Sequence, residues 1–159
     1  MAILTKRTYQ AYQIRKGIEV RIQSLQHCCF KSLNDREICI DEFDPNQSIM
    51  IIYFHPECEH CQYEAKEIGL HANEFANVNM LMITPDDSLQ RIENFAEENH
   101  LWELSNLELL MDAGDSFRKY FGTAKIPTVF IYKNNKLLKK YSGETKIEAI
   151  LEIINNSKN

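Results

Sequence analysis

The sequence has no apolar run long enough to cross a membrane as a helix, and no apolar stretch of signal type opens it. Read literally, that places the chain in the cytoplasm. It has no basic block, and its formal net charge is −5. A nucleic-acid partner is therefore not expected. It has no internal repeat and no low-complexity linker, so its 159 residues read as one domain with room for a sizeable core. Cysteine is scarce. The five cysteines, at 28, 29, 39, 58 and 61, are an odd number and too few for a disulfide scaffold. No cysteine follows Cys61, so a second CxxC pair that could complete a zinc set is missing. His55, His60 and His71 lie nearby but are not spaced as its partners, and neither a metal nor another cofactor is expected.

What is present suits a soluble globular protein, with 44% hydrophobic and 26% charged residues. Residues 1–27 stand apart as an N-terminal extension, before a domain expected over 28–157. The first 25 residues carry basic side chains among tyrosines and isoleucines. They read either as a juxtamembrane segment or as a helix that docks on the domain. Ile18, Val20 and Ile22 alternate like a strand, whereas Ile14, Ile18, Ile22 and Leu25 share a helical face.

Further along, Phe30–Leu33 and Ile38–Ile40 flank an Asn34-Asp35 turn, which predicts a hairpin. Ile49–Phe54 is nearly continuous apolar sequence, as in a strand covered on both faces. From Cys61 the period changes: Cys61, Ala65, Ile68, Ala72 and Phe75 line one face of a long helix. Val78–Ile83 is the next strand. A helix capped by Asp86 or Asp87 follows, with Leu89, Ile92, Phe95 and Ala96 inward. Leu107–Met111 is a short strand, and a short helix around Phe117–Phe121 stops at Gly122. Thr128–Tyr132 and Leu137–Tyr141 make a hairpin about Asn134-Asn135. Thr145 and Glu148 read as a capping box for a last helix lined by Ile147, Ile150, Leu151 and Ile154. Hairpin, βαβ, an αβα insert and ββα together predict an α/β fold with a central sheet between helices. Trp102 reads as packing within the insert, and His71 as an exposed residue of the long helix.

The chemistry is expected at Cys58-Glu59-His60-Cys61. A buried strand, a short loop and a helix place Cys58 at a helix N-terminus, where free N–H groups and the helix dipole favour a thiolate. Cys61 falls one turn inside. Cys58 is thus assigned as nucleophile and Cys61 as resolving thiol. Between them, Glu59 opposes a thiolate and a protonated His60 favours it. The acidic surroundings point to a reducing rather than a strongly oxidising couple. Glu64, one turn after Cys61, is either a surface glutamate or a buried proton acceptor. Pro127, after Ile126, opens a strand, and by default such a bond is cis in only about 5% of cases. Cys28, Cys29 and Cys39 read as core or incidental thiols; a bridge from Cys39 to Cys28 or Cys29 across the hairpin is the sharper option.

YFHPECEHC (53–61) and KIPTVFIYKNNKLLKKYSGE (125–144) resemble the thioredoxin superfamily, over roughly residues 28–155. The pre-strand hairpin, the insert at 80–112 and Glu64 are most similar to the TlpA/ResA-like thiol–disulfide oxidoreductases, which are related to the AhpC/TSA peroxiredoxins. The resemblance implies a thioredoxin-like fold with a central mixed sheet, an N-terminal hairpin and an αβ insert between the CxxC helix and the proline strand. It implies that Pro127 is cis and that Ile126 pairs with an incoming peptide as an added strand. Ile126, Pro127, His60 and Glu59 are then the expected substrate contacts, and Cys58, Cys61 and Glu64 the catalytic residues. It further implies a monomer outside the cytoplasm, where members usually carry a signal peptide or a membrane anchor, that reduces client protein disulfides and is fed by an upstream thiol donor. Two features depart from the family. His55-Pro56-Glu57 replaces the usual tryptophan before CxxC. Ile52 stands where thioredoxin proper has a buried aspartate, which leaves that proton-transfer part to Glu64. His55 also occupies the position where a peroxiredoxin needs Thr or Ser, which argues against peroxidase activity. The alternative reading is a binding module that holds a partner at the Ile126–Pro127 edge without redox turnover.

Overall fold

Strand β3 (Ser48–Tyr53) is buried at every position, and the rest of the fold follows from covering its two faces. The computed structural model describes residues 2–122 and 125–158. Side chains alternate across a strand. Met50 and Ile52 therefore join one core, with Ile68 of α2 (Glu59–Leu70), Ile92 and Phe95 of α3 (Leu89–Glu98) and Ile150 of α5 (Ile147–Asn156). Ile49, Ile51 and Tyr53 join the opposite core, with Phe117 and Phe121 of α4 (Ser116–Phe121). There Tyr53 stacks on Phe117 at 4.0 Å between ring centroids.

The sheet has seven strands in the order β2-β1-β5-β4-β3-β6-β7. β3, β4 (Val78–Thr84) and β5 (Leu107–Met111) run parallel. The hairpin of β1 (Cys29–Ser32) and β2 (Glu37–Cys39) adds antiparallel to β5. The hairpin of β6 (Thr128–Lys133) and β7 (Lys136–Ser142) adds antiparallel to β3. Both hairpins turn on residues with positive φ, Asp35 in the first and Asn134-Asn135 in the second, as their turn chemistry predicts. The mixed sheet, the hairpin and the insert are those expected.

Most of the ambiguous N-terminal segment forms α1 (Ala2–Arg21), and Ser24, just beyond it, bridges Lys136 of β7. Its far end is the anchored one. Ile22 is buried and its carbonyl accepts a hydrogen bond from Tyr132 Oη at 2.9 Å. Arg21 donates to the Lys119 carbonyl at 2.8 Å. Ile18 lies over Gly122, whose φ is +81° and where a Cβ would come within 2.9 Å of the isoleucine, so only glycine fits. Ile14 of the predicted face is exposed, as are Tyr9 and Tyr12. Among the described residues no helix is long and apolar enough to cross a membrane.

Several local expectations give way to other partners. Ser88, not Asp86 or Asp87, caps α3 and accepts from Arg91 N–H, because the Asp86 carboxylate is held by the Arg91 guanidinium. The capping box at α5 does not form: Lys146 is the N-cap, and Thr145 Oγ1 donates to the Gly143 carbonyl instead. Trp102 is exposed, while its neighbours Leu101 and Leu104 fill the core. His71 is half-buried, with Nδ1 2.9 Å from the Glu67 carbonyl. Cys28, Cys29 and Cys39 are not all incidental thiols. Cys29 and Cys39 face each other in the register of β1 and β2 and form a disulfide, while Cys28 stays a buried thiol.

Candidate active site

Register brings the site together. Tyr53, the last residue of β3, pairs with Thr128, the first of β6. The segments just beyond them, residues 54–58 and 125–127, must therefore lie side by side. Ile126–Pro127 is a cis peptide bond, as the resemblance implies and against the default for such bonds. Thr128 Oγ1 donates to the Lys125 carbonyl at 2.5 Å, and Gly143 N–H donates to the Pro127 carbonyl at 2.8 Å. These bonds hold the proline segment from both sides.

Cys58 is the N-cap of α2, in an extended conformation (φ −86°, ψ 116°). Its carbonyl accepts from the N–H groups of Cys61 and Gln62, each at 3.0 Å. Its Sγ lies 3.9 Å from the Ile126 carbonyl oxygen. Cys58 is partly exposed and Cys61 is buried, and both are thiols. Burial first of all pushes the Cys61 thiol up, with Cys58 and the charge of Glu64 adding, while a backbone hydrogen bond at His55 opposes.

Glu64 is 2% exposed, and neither carboxyl oxygen has a hydrogen-bond partner. Burial pushes its pKa up to about 8; the nearby Thr145 backbone opposes this without making a bond of ordinary geometry, and the charge of Glu144 adds to it. Of the two alternatives for Glu64, the buried position is the one occupied.

Two features here were not legible in the sequence. His60 Nδ1 lies 2.5 Å from Glu144 Oε2, so the exposed dipeptide between the cysteines is tied to the loop after β7. That loop also carries Thr145, beside Glu64. The second is Asp86, whose carboxylate takes both Arg91 donors at 2.8 and 2.7 Å and lies 3.8 Å from His55 Nε2. The Arg91 hydrogen bonds hold its pKa at about 2. His55 Nδ1 in turn accepts from Glu57 N–H at 3.2 Å, so Asp86 braces the loop leading into Cys58. Glu59 is exposed. The strongest sequence signal for either feature was an acidic residue after a strand, which is common on any surface.

The groove of about 570 Å³ between α1, Gly122 and Lys140 includes neither Cys58 nor Cys61. Among the described residues the one cluster of metal-ligating type is His27, Cys29 and Cys39, and two of its sulfurs are bonded to each other.

A family model described as the AhpC/TSA family matches residues 23–141. The chain belongs to the AhpC/TSA family. Its fold is similar to that of a secreted Mycobacterium tuberculosis disulfide oxidoreductase homologous to Escherichia coli DsbE, at 13% identity and TM-score 0.67 over 86% of this chain and 97% of the other. StoA from Bacillus subtilis aligns at 17% identity and TM-score 0.64, over 82% of this chain and 98% of the other. The peroxidoxin BcpB from Mycobacterium tuberculosis aligns at 16% identity and TM-score 0.68, over 85% and 94%. No curated protein matches the chain. The likeness to these structures is one of fold: a thioredoxin-like mixed sheet flanked by helices.

Proposed function

We propose that this AhpC/TSA-family chain is a protein thiol–disulfide oxidoreductase that works through Cys58 and Cys61. The observation that carries the reading is the Cys58 sulfur, partly exposed at a helix N-cap and 3.9 Å from the carbonyl of Ile126, with Cys61 buried behind it. A client strand pairing with the backbone at Ile126–Pro127 would bring its disulfide to Cys58. Glu59 and His60 border that surface, and His60 is steadied by Glu144.

In the reducing direction the Cys58 thiolate attacks one client sulfur. The client disulfide breaks, and its other sulfur leaves as a thiolate that takes a proton. Cys61 then gives its proton to Glu64 and attacks Cys58 Sγ. The mixed disulfide breaks, the client leaves as a dithiol, and Cys58–Cys61 becomes the disulfide. Because burial disfavours the Cys61 thiolate, this second step is where a base matters. With a pKa of about 8, the Glu64 carboxylate is present in about a tenth of molecules at pH 7. An upstream dithiol donor must restore the reduced pair. Client proteins outside the cytoplasm are the proposed substrates, reduced by a monomer, with residues 1–27 as an extension to the 28–157 domain that would link it to a tether.

The test is the Cys61→Ser variant incubated with a disulfide-containing protein. A mixed disulfide on Cys58 that accumulates and does not resolve is the expected result. Failure to trap any client, together with full biological activity of Cys58→Ser, would favour the non-redox binding module at Ile126–Pro127.

A further inference from the structure

The Cys29–Cys39 disulfide repeats the asymmetry of the first pair: Cys29 is partly exposed and Cys39 is buried. It spans ten positions of a hairpin whose register three residue pairs and a tight turn already set, so the fold does not depend on it to find its topology. Beside it stands an acid–base pair. His27 Nε2 lies 3.8 Å from Cys29 Sγ, and its Nδ1 lies 2.9 and 3.0 Å from the two Asp41 oxygens. Asp41 thereby holds the proton on Nδ1 and turns the free Nε2 lone pair toward the sulfur, where it can take the proton of a thiol that approaches Cys29. The His27 Nε2 side is open to a partner, since the His27 side chain is 74% exposed. Cys28, next in the chain, does not compete: it is buried, and burial with Asp112 and Asp41 pushes its pKa up to about 12.

We propose that Cys29–Cys39 is a second thiol–disulfide exchange centre, with His27 as its acid–base group and Asp41 positioning that imidazole. Its substrate class is a dithiol. One thiolate of the dithiol attacks Cys29 Sγ, the Cys29–Cys39 bond breaks, and Cys39 leaves as a thiolate. The second thiolate attacks the partner's own sulfur in the mixed disulfide, and Cys29 leaves. The partner loses two electrons and ends as a disulfide. The hairpin gains those electrons and the partner's two protons, one of them delivered through His27.

This centre cannot be fed directly by Cys58 of the same molecule. β1 runs antiparallel to β5, and Lys31 opposite Met111 places Cys29 beyond the carboxyl end of β5. That is the same end of the sheet at which Cys58 follows β3, but the two sites are separated by three strand spacings, roughly 14 Å. A separate dithiol must carry the electrons.

The experiment uses the full chain with Cys58→Ser and Cys61→Ser, so that its failure says nothing about the first pair. The oxidised variant is equilibrated with dithiothreitol under native conditions, alkylated, and mapped by mass spectrometry. The expected result is a disulfide between 29 and 39 that opens reversibly without loss of the folded state. His27→Ala is expected to slow that reduction by about tenfold or more at an unchanged melting temperature. Three results overturn the proposal: free thiols at 29 and 39 after oxidation, opening only in denaturant, or reduction of His27→Ala at the wild-type rate.

Discussion

The two cysteine pairs lie at one end of the same sheet and are built by opposite means. In the helix pair, Cys58 and Cys61 are three residues apart, and local geometry alone sets them one turn from each other. In the hairpin pair, Cys29 and Cys39 are ten residues apart and meet only because a turn at Asn34-Asp35 sets them opposite each other. Each pair offers one accessible sulfur and hides the other. They differ in the group proposed to handle protons. Behind the helix pair is a carboxyl that burial keeps largely protonated at neutral pH. Beside the hairpin pair is an exposed imidazole steered by a carboxylate. The comparison teaches that spacing predisposes a pair to exchange, while its surroundings decide which residue must move the proton.

The strongest way to separate the pairs is by turnover. Cys58→Ser is expected to lower reduction of a protein disulfide by more than about a thousandfold. The double change Cys29→Ser with Cys39→Ser should leave it within about twofold, because the hairpin pair lies outside the proposed reaction. Comparable losses in both variants would show that the pairs act as one relay.

Glu64→Gln sharpens the contrast in proton handling. The pKa of Glu64 is raised from 4.5 to about 8 in the fold. The stability linked to its neutral form is therefore complete below pH 4.5 and is lost as pH rises toward 8. Glutamine removes that loss, so urea unfolding at pH 7 should show a gain of about 3 kcal/mol, absent at pH 4. The same variant should resolve mixed disulfides about tenfold more slowly, without the rise in rate toward pH 8 expected of the wild type. A variant that is stabilised but equally fast would reduce Glu64 to a packing residue.

Next in size is the structural worth of the hairpin bond. Closing a loop of this length is worth about 2–3 kcal/mol, so Cys29→Ser/Cys39→Ser should unfold at correspondingly lower urea than the oxidised wild type. Reducing the wild type should reproduce the shift. The smallest expected effect is at Asp86. Its pKa of about 2 lies below the ordinary carboxylate value, so its contribution is present above about pH 4 and fades as pH falls through 2. Asp86→Asn should flatten the acid limb of a stability–pH curve, leaving the hairpin pair untouched and loosening the His55 loop.

Much of the fold was legible because it rests on local period. The all-buried β3, the CxxC helix, both hairpin turns and the insert follow from runs and spacings within a few residues of each other. The proposed site is legible in the sequence where its residues share one element, at Cys58 and Cys61, with Glu64 one turn on. It was not legible at Glu144, which lies 84 residues from the His60 it holds, nor at Asp86, which meets His55 only because β3 and β4 end side by side. Ser88 displaced Asp86 as a helix cap because a carboxylate with an arginine in reach forms the stronger, charge-assisted bond.

The amino-acid order by itself determined which segments beyond the N-terminal 25 residues are strands and helices, and that two cysteines stand one turn apart at a helix start. Both are properties of neighbours along the chain, where backbone geometry leaves few choices. The tertiary structure alone decided that Glu64 is buried without a partner, that Ile126 reaches the Cys58 sulfur, and that Cys29 rather than Cys28 bonds to Cys39. Those depend on strand register and on which loops the packed sheet brings together, and one step of register turns a side chain from one face of a strand to the other.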